Sequence, residues 1–199
     1  MRKLFTLALA LIMGIGSAMA EIENEVEVGM NLSSISKYDS KVGFHLGYRL
    51  TNTLPTLFDG AYINGGAMLS LKGAEKDFGS MLKANFNAYY LEIPVHFGYR
   101  HNVGENVAIF GEFGPYLGIG LFGKSKVEAE GESLKVDTFS DEGGMARFDF
   151  GLGFRAGVEI NKKIPVSIGY DFGLMDINKE DEGPSLKNSN FTLSIGYKF

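Results

Sequence analysis

Cysteine and tryptophan are both absent from the 199 residues, and proline occurs only five times. Without cysteine there is no thiol nucleophile and no disulfide. An oxidising compartment tolerates that only where a fold needs no covalent staples, as a closed barrel does. After the first twenty residues there is no apolar run of about 18, so no helix is predicted to span a bilayer. Basic residues form no stripe in this net-acidic chain, which argues against nucleic acid as a partner. The missing tryptophan leaves any membrane-interface role to tyrosine and phenylalanine.

What is present begins with Arg2 and Lys3, followed by an apolar stretch from Leu4 to Ile15 and then Ala18-Met19-Ala20. A short positive segment, a short apolar segment and small residues at a cleavage point predict a secretory signal over residues 1–20. With no cysteine behind the apolar stretch, lipoprotein processing is excluded. The mature domain is then expected to be 21–199, one domain in length, with 17 basic against 24 acidic residues and a net charge of −7.

Apolar residues alternate with polar or small ones along that whole stretch, the period of a half-buried strand. Strands are predicted near residues 25–33, 41–50, 61–72, 86–100, 107–122, 147–160, 166–175 and 190–199. The clearest apolar rows are Val42, Phe44, Leu46, Tyr48 and Leu50, and later Phe148, Phe150, Leu152, Phe154, Ala156, Val158 and Ile160. With no spanning helix available, a closed barrel is the remaining way to satisfy a backbone in lipid. The prediction is an all-β, eight-stranded antiparallel up-and-down transmembrane β-barrel.

The opposite face carries the polar residues. Lys41, Arg49, Lys72, Arg100, Arg147, Arg155 and Lys198 share it with Glu25, Glu27, Glu92, Glu112, Asp149, Glu159 and Asp171, seven basic against seven acidic. His45, His96, Tyr90, Tyr116 and most strand glycines lie there too. Eight strands leave an interior that side chains can just fill, and an unpaired charge inside is costly. The expected interior is a neutral plug. Its charge network comprises Arg49, Glu92, Arg100, Glu112, Asp149, Arg155, Glu159 and Asp171.

The same alternation also fits a soluble barrel with its apolar face inside. Two features weigh against it. Phe148, Phe150 and Phe154 would crowd one strand's share of a small lumen, and the predicted connections alternate in length. Those at 51–60, 101–106 and 161–165 are shorter than those at 73–85, 123–146 and 176–189. Turns on one rim and long loops on the other fit an outer-membrane barrel with periplasmic termini. Tyr48, Tyr99, Tyr197 and Phe199 then fall at the periplasmic strand ends as an aromatic girdle.

Short motifs agree. Tyr90-Leu91-Glu92-Ile93-Pro94-Val95 resembles the Y-L-E-I-P segment of the PorT-like outer-membrane β-barrel family, and Leu69-Ser70-Leu71-Lys72-Gly73-Ala74 resembles its strand-end pattern. Gly114-Pro115-Tyr116-Leu117-Gly118 and Asp149-Phe150-Gly151-Leu152-Gly153 are similar to two further elements, in the family's order across most of the mature chain. The resemblance implies fold and an outer-membrane location. It implies no catalytic residue, since the family is functionally broad: some relatives assist a secretion machine and many are porin-like. On physical grounds Pro94 and Pro115, which donate nothing to a ladder, predict a bulge or locally broken pairing.

Several patterns that suggest chemistry have plainer readings. Gly118–Gly123 and Gly151–Ala156 match the spacing of a dinucleotide loop, but that loop needs a strand-to-helix turn, and these glycines lie within strands. His45, His96 and Glu92 share one face, but a metal centre needs three or four ligands that converge, and the plainer reading is histidines hydrogen-bonded inside a polar plug. No catalytic, cofactor or metal residue is predicted. Functional expectation rests on the outer loops. Residues 126–137 keep alternating across Gly131, either as a hairpin extending two strands beyond the membrane or as a solvated loop. Residues 179–184 form an acidic patch, suited to divalent cations near lipopolysaccharide or to plain solvation. The expected partners are outer-membrane lipid and lipopolysaccharide, and an envelope or surface protein meeting loops 123–146 and 176–189. The expected role is structural or interactive, with a small porin as the alternative and a secretion accessory or lipid-modifying enzyme behind it.

Overall fold

A computed structural model describes residues 22–36, 38–77, 82–129, 132–139, 144–178 and 185–199. The predicted leader, the turn at Gly131 and the acidic patch at 179–184 lie outside the described residues. Nine strands are formed: β1 (Ile22–Ile35), β2 (Asp39–Thr53), β3 (Ala61–Asp77), β4 (Leu82–Asn102), β5 (Val107–Ala129), β6 (Glu132–Asp137), β7 (Phe148–Ile160), β8 (Ile164–Gly173) and β9 (Asn188–Lys198). All pairings are antiparallel. Eight strands close a ring in the order β1, β2, β3, β4, β5, β7, β8, β9 and back to β1, and β6 stands outside it, paired among the described residues to β5 alone. No helix occurs among the described residues.

The two faces sort as a membrane requires. Val28, Phe44, Phe113 and Phe154 point outward, each about half exposed at 50%, 48%, 56% and 47%, while Glu25, Glu27, Arg49, Glu112 and Arg155 are buried inside. A soluble barrel would place these sets the other way round. At about 3.3 Å per residue, the 10 to 23 residues of each ring strand are enough to cross the hydrocarbon layer. β4 and β5 run well past it. Most of the stretch expected to form the loop at 73–85 is strand, because β3 and β4 continue pairing from Lys72 opposite Ala88 out to Lys76 opposite Ala84.

Pairing is interrupted in the way the prolines require. The β4–β5 ladder skips Val95 and His96 opposite Gly114 and Pro115, and the β3–β4 ladder skips Ile93 and Pro94, with register kept on either side. Register shifts come elsewhere, one between Ser40 and His45 in the β2–β3 ladder and one in the β4–β5 ladder. Tyr89 pairs with Phe122 but Tyr90 pairs with Gly120, so Leu121 is an extra residue bulged out of β5. Above that bulge, β5 leaves β7 and takes β6 as its neighbour, Lys124 to Ala129 opposite Asp137 to Glu132. Residues 126–129 and 132–137 pair as the two arms of a hairpin, but it extends β5 alone, because β6 is not one of the ring strands.

One rim carries the short turns and the other the long connections. At the short-turn rim, Asn161 and Lys162 both adopt positive φ (52° and 57°), and the Lys163 N–H donates to the Ile160 carbonyl at 3.0 Å. That is the mirror-image turn whose twist matches a hairpin. Gly60, with φ of 83°, ends the β2–β3 turn against the Arg100 carbonyl, where a Cβ would stand at 2.2 Å.

Candidate functional site

From the short-turn rim inward, the lumen is built of three tiers. In the first, the Arg100 guanidinium grips Glu23 with two parallel hydrogen bonds of 2.8 and 2.7 Å, and Lys198 Nζ bridges Glu23 at 2.8 Å and Glu159 at 2.5 Å. Two cations meet two carboxylates, and the tier is neutral. Gly98 makes room beside it: a Cβ there would strike the Tyr62 ring at 2.3 Å, and the Tyr62 hydroxyl donates to Glu112 at 3.0 Å.

The middle tier centres on Arg155, which reaches Glu27 at 2.6 Å, Glu25 at 3.0 Å and Glu112 at 3.2 Å, and donates from Nε to Ser167. Arg49 adds Glu27 at 3.3 Å and Glu112 at 4.0 Å. His45 lies between Asn31 and Ser194, with Nε2 at 3.4 Å from Glu27. His96, 4% exposed, has no hydrogen-bond partner among the described residues for either ring nitrogen, and its Nδ1 stands 3.6 Å from Glu112. Here two arginines face three carboxylates.

In the third tier Lys72 is the cation facing Glu92 (2.5 Å), Asp149 and Asp171. Lys72 Nζ also lies over the rings of Tyr116 and Tyr90, at 5.1 and 5.7 Å. Asp149 accepts from Tyr116 and Asn188, and Asp171 accepts from Asn190. A cavity of about 50 Å³ separates the middle and third tiers, between His45, His96, Glu92 and Asp171. That is room for a water or two.

This arrangement corrects the even count read from alternation. Arg147 is exposed at the long-loop rim and donates to the Gly120 and Leu121 carbonyls, because it precedes β7 and lies beside the bulge. Lys41 sits at the mouth, bonded to Asn85. Glu23, one step earlier on the face of Glu25 and Glu27, enters the lumen. The three tiers therefore hold eight carboxylates and five cations besides the two histidines. The eight residues Arg49, Glu92, Arg100, Glu112, Asp149, Arg155, Glu159 and Asp171 all face inward, distributed over separate tiers. Alternation pointed equally to Glu23 and Tyr62; a first strand begun at Glu25 is what hid Glu23.

Above the third tier the lumen ends in an apolar cap, which alternation along strands gave no means to find. Phe139, Met145 and Ile177 from the long connections pack on Ile35, Ala74, Ala88 and Tyr90. Phe139 stands edge-on to Tyr90 at 5.6 Å and fills the space over Gly120. Backbone bonds hold the cap: Met145 N–H to Thr138 O, Ala146 N–H to Ile177 O and Ile177 N–H to Leu186 O, each 2.8 Å. The Asp176 carboxylate accepts the N–H groups of Asn178 and Leu186, which hold its pKa below the usual carboxylate value.

At the short-turn rim, Tyr48, Tyr99, Tyr197 and Phe199 all point outward. Tyr48 and Tyr197 flank Val26 in register, and the Tyr48 ring lies 6.4 Å from Phe199. Phe58, from the β2–β3 turn, joins them 6.0 Å from Tyr99; its position in a turn hid it from strand alternation. No group of three or more histidine, aspartate or glutamate side chains among the described residues is placed to hold a metal ion.

An eight-stranded ring with an apolar exterior and a charged interior defines the class of small membrane β-barrels. Within it, the chain belongs to the outer membrane protein beta-barrel domain family, which it matches over residues 13–179. The match is to this broad family. Among solved structures it is similar to the attachment invasion locus protein Ail of Yersinia pestis (19% identity, 90% of this chain and 99% of that one, TM-score 0.45). It is also similar to Neisserial surface protein A (14%, 92% and 100%, TM-score 0.49) and to OprG of Pseudomonas aeruginosa (13%, 90% and 96%, TM-score 0.47). No protein with a curated description matches the sequence.

Proposed function

We propose that this protein is a sealed outer-membrane barrel whose role is structural or interactive, with its long-loop rim and β5–β6 hairpin facing outward to a partner. The observation that carries this reading is the occupied lumen: three tiers of charged side chains that bridge one another, a void of about 50 Å³ between two of them and an apolar cap over the long-loop mouth. Side chains in these positions stand in the way of a water path. The hairpin supplies the interactive surface, because among the described residues β6 has a neighbour on one side only, and its other edge presents ladder groups to a partner strand. A closer kinship with PorT-like barrels, and with it a part in secretion, rests on the four short motifs. The reading needs no catalytic residue or cofactor.

A second reading, a small cation-passing porin, draws on the excess of carboxylates in the middle and third tiers. Planar-bilayer conductance of the folded mature protein separates the two, with heat-modifiable gel mobility confirming the barrel. Absence of current steps is the expected result. Reproducible steps that require the protein would overturn the sealed reading, and reversal potentials favouring cations would assign it to the second.

A further inference from the structure

The wall of the barrel is notched where β5 changes neighbours. Ile119 still pairs with Phe148 of β7, and Lys124 already pairs with Asp137 of β6. Between them, among the described residues, β5 has two backbone–backbone bonds on that side: Gly120 N–H to Arg147 O and Thr138 N–H to Gly123 O. A cleft of about 560 Å³ opens there, within the range of small-molecule sites.

Its floor is apolar and belongs to the outward wall. Leu71, Tyr89 and Phe122 stand in one row across β3, β4 and β5, with the last two rings 4.6 Å apart. The bulge places Leu121 and Phe122 on the lipid side in succession, 40% and 59% exposed. Its mouth is cationic. Arg147 is anchored by the Gly120 and Leu121 carbonyls and stacks over Phe139 at 5.2 Å, and Lys124 lines the same cleft. Asp137 is the carboxylate among the described lining residues, so two cations face one acid.

We propose that this cleft binds a membrane lipid whose phosphorylated head group carries a net negative charge. The acyl chains lie along Leu71, Tyr89, Leu121 and Phe122, and the phosphate meets Arg147 and Lys124. Charge complementarity selects an anionic head, and an arginine held in place by its own backbone contacts is suited to phosphate. The level of the cleft, where the apolar wall gives way to polar strand extensions, is the boundary between hydrocarbon and head groups. The inference rests on the outward placement of the long-loop rim and is independent of whether the lumen conducts.

Native mass spectrometry of the detergent-folded protein tests it, with lipid A as probe, phosphatidylcholine as zwitterionic control and inorganic phosphate as head-only competitor. Gel mobility confirms folding of each variant. Lipid A is expected to remain bound where phosphatidylcholine is stripped, and its bound fraction to fall about tenfold in K124Q/R147Q and by less in R147K, which keeps the charge but not the anchored fork. Should R147Q fail to fold, K124Q alone carries the test with a smaller loss in the same direction. Equal retention by the charge variants, equal binding of phosphatidylcholine, or displacement by inorganic phosphate would each overturn the proposal.

Discussion

Arg155 and Glu112 are bonded to each other, yet they are not equivalent, because the middle tier holds three carboxylates for two arginines. Removing Arg155 leaves Arg49 with Glu25, Glu27 and Glu112 together in low dielectric, and stranded charges of this kind cost roughly 3–5 kcal/mol. Replacing Glu112 with glutamine removes the surplus charge and keeps an acceptor for the Tyr62 hydroxyl, a change expected to cost about 1 kcal/mol. Thermal or urea unfolding in detergent should therefore rank Arg155→Ala far below Glu112→Gln; equal losses would mean that solvent screens the tier. Alternation made both residues legible as inward-facing. The imbalance was hidden because it depends on height along the barrel, which places Lys41 and Arg147 outside the tiers and Glu23 within them.

Among the elements, turns and register were the least legible. The Asn161-Lys162 turn was located from its neighbouring strands, but nothing marked Lys162 as left-handed, since mirror-image turns usually advertise a glycine. A non-glycine residue there is strained by about 1 kcal/mol or slightly more, so Lys162→Gly is expected to stabilise the barrel by roughly 0.5 kcal/mol after the entropy of the unfolded chain is counted. Equilibrium unfolding at constant slope would check it; destabilisation would show that the lysine makes a compensating contact. The β5 bulge was equally hidden, because Leu121 and Phe122 read as one more step of alternation until the partner strand fixes which residue is extra. Pro94 and Pro115 announced broken pairing, and the ladders break beside them without losing register. The physical reason is that a proline removes one donor, whereas a bulge requires an added residue.

For the molecule as a whole, the eight-stranded ring and its orientation of faces followed from period-2 alternation, which persists because lipid outside and charge inside impose opposite demands on successive residues. The closure of the outer mouth did not follow, since Phe139, Met145 and Ile177 sit in connections where no period operates. Two layers stand across the lumen, the charged tiers and the apolar cap, and a double variant separates their contributions to the proposed seal. Phe139→Ala with Ile177→Ala removes the largest buried side chains of the cap, each worth about 1.5–3 kcal/mol of burial, and uncovers the space over Gly120 and Tyr90. The ion pairs below remain intact. If the cap is the barrier, the variant will show current steps in a planar bilayer that the parent lacks, and they will favour cations because the exposed third tier has one lysine for three carboxylates. A folded variant that stays silent would locate the barrier in the tiers, where Lys72, Glu92, Arg155 and their partners occupy the path themselves.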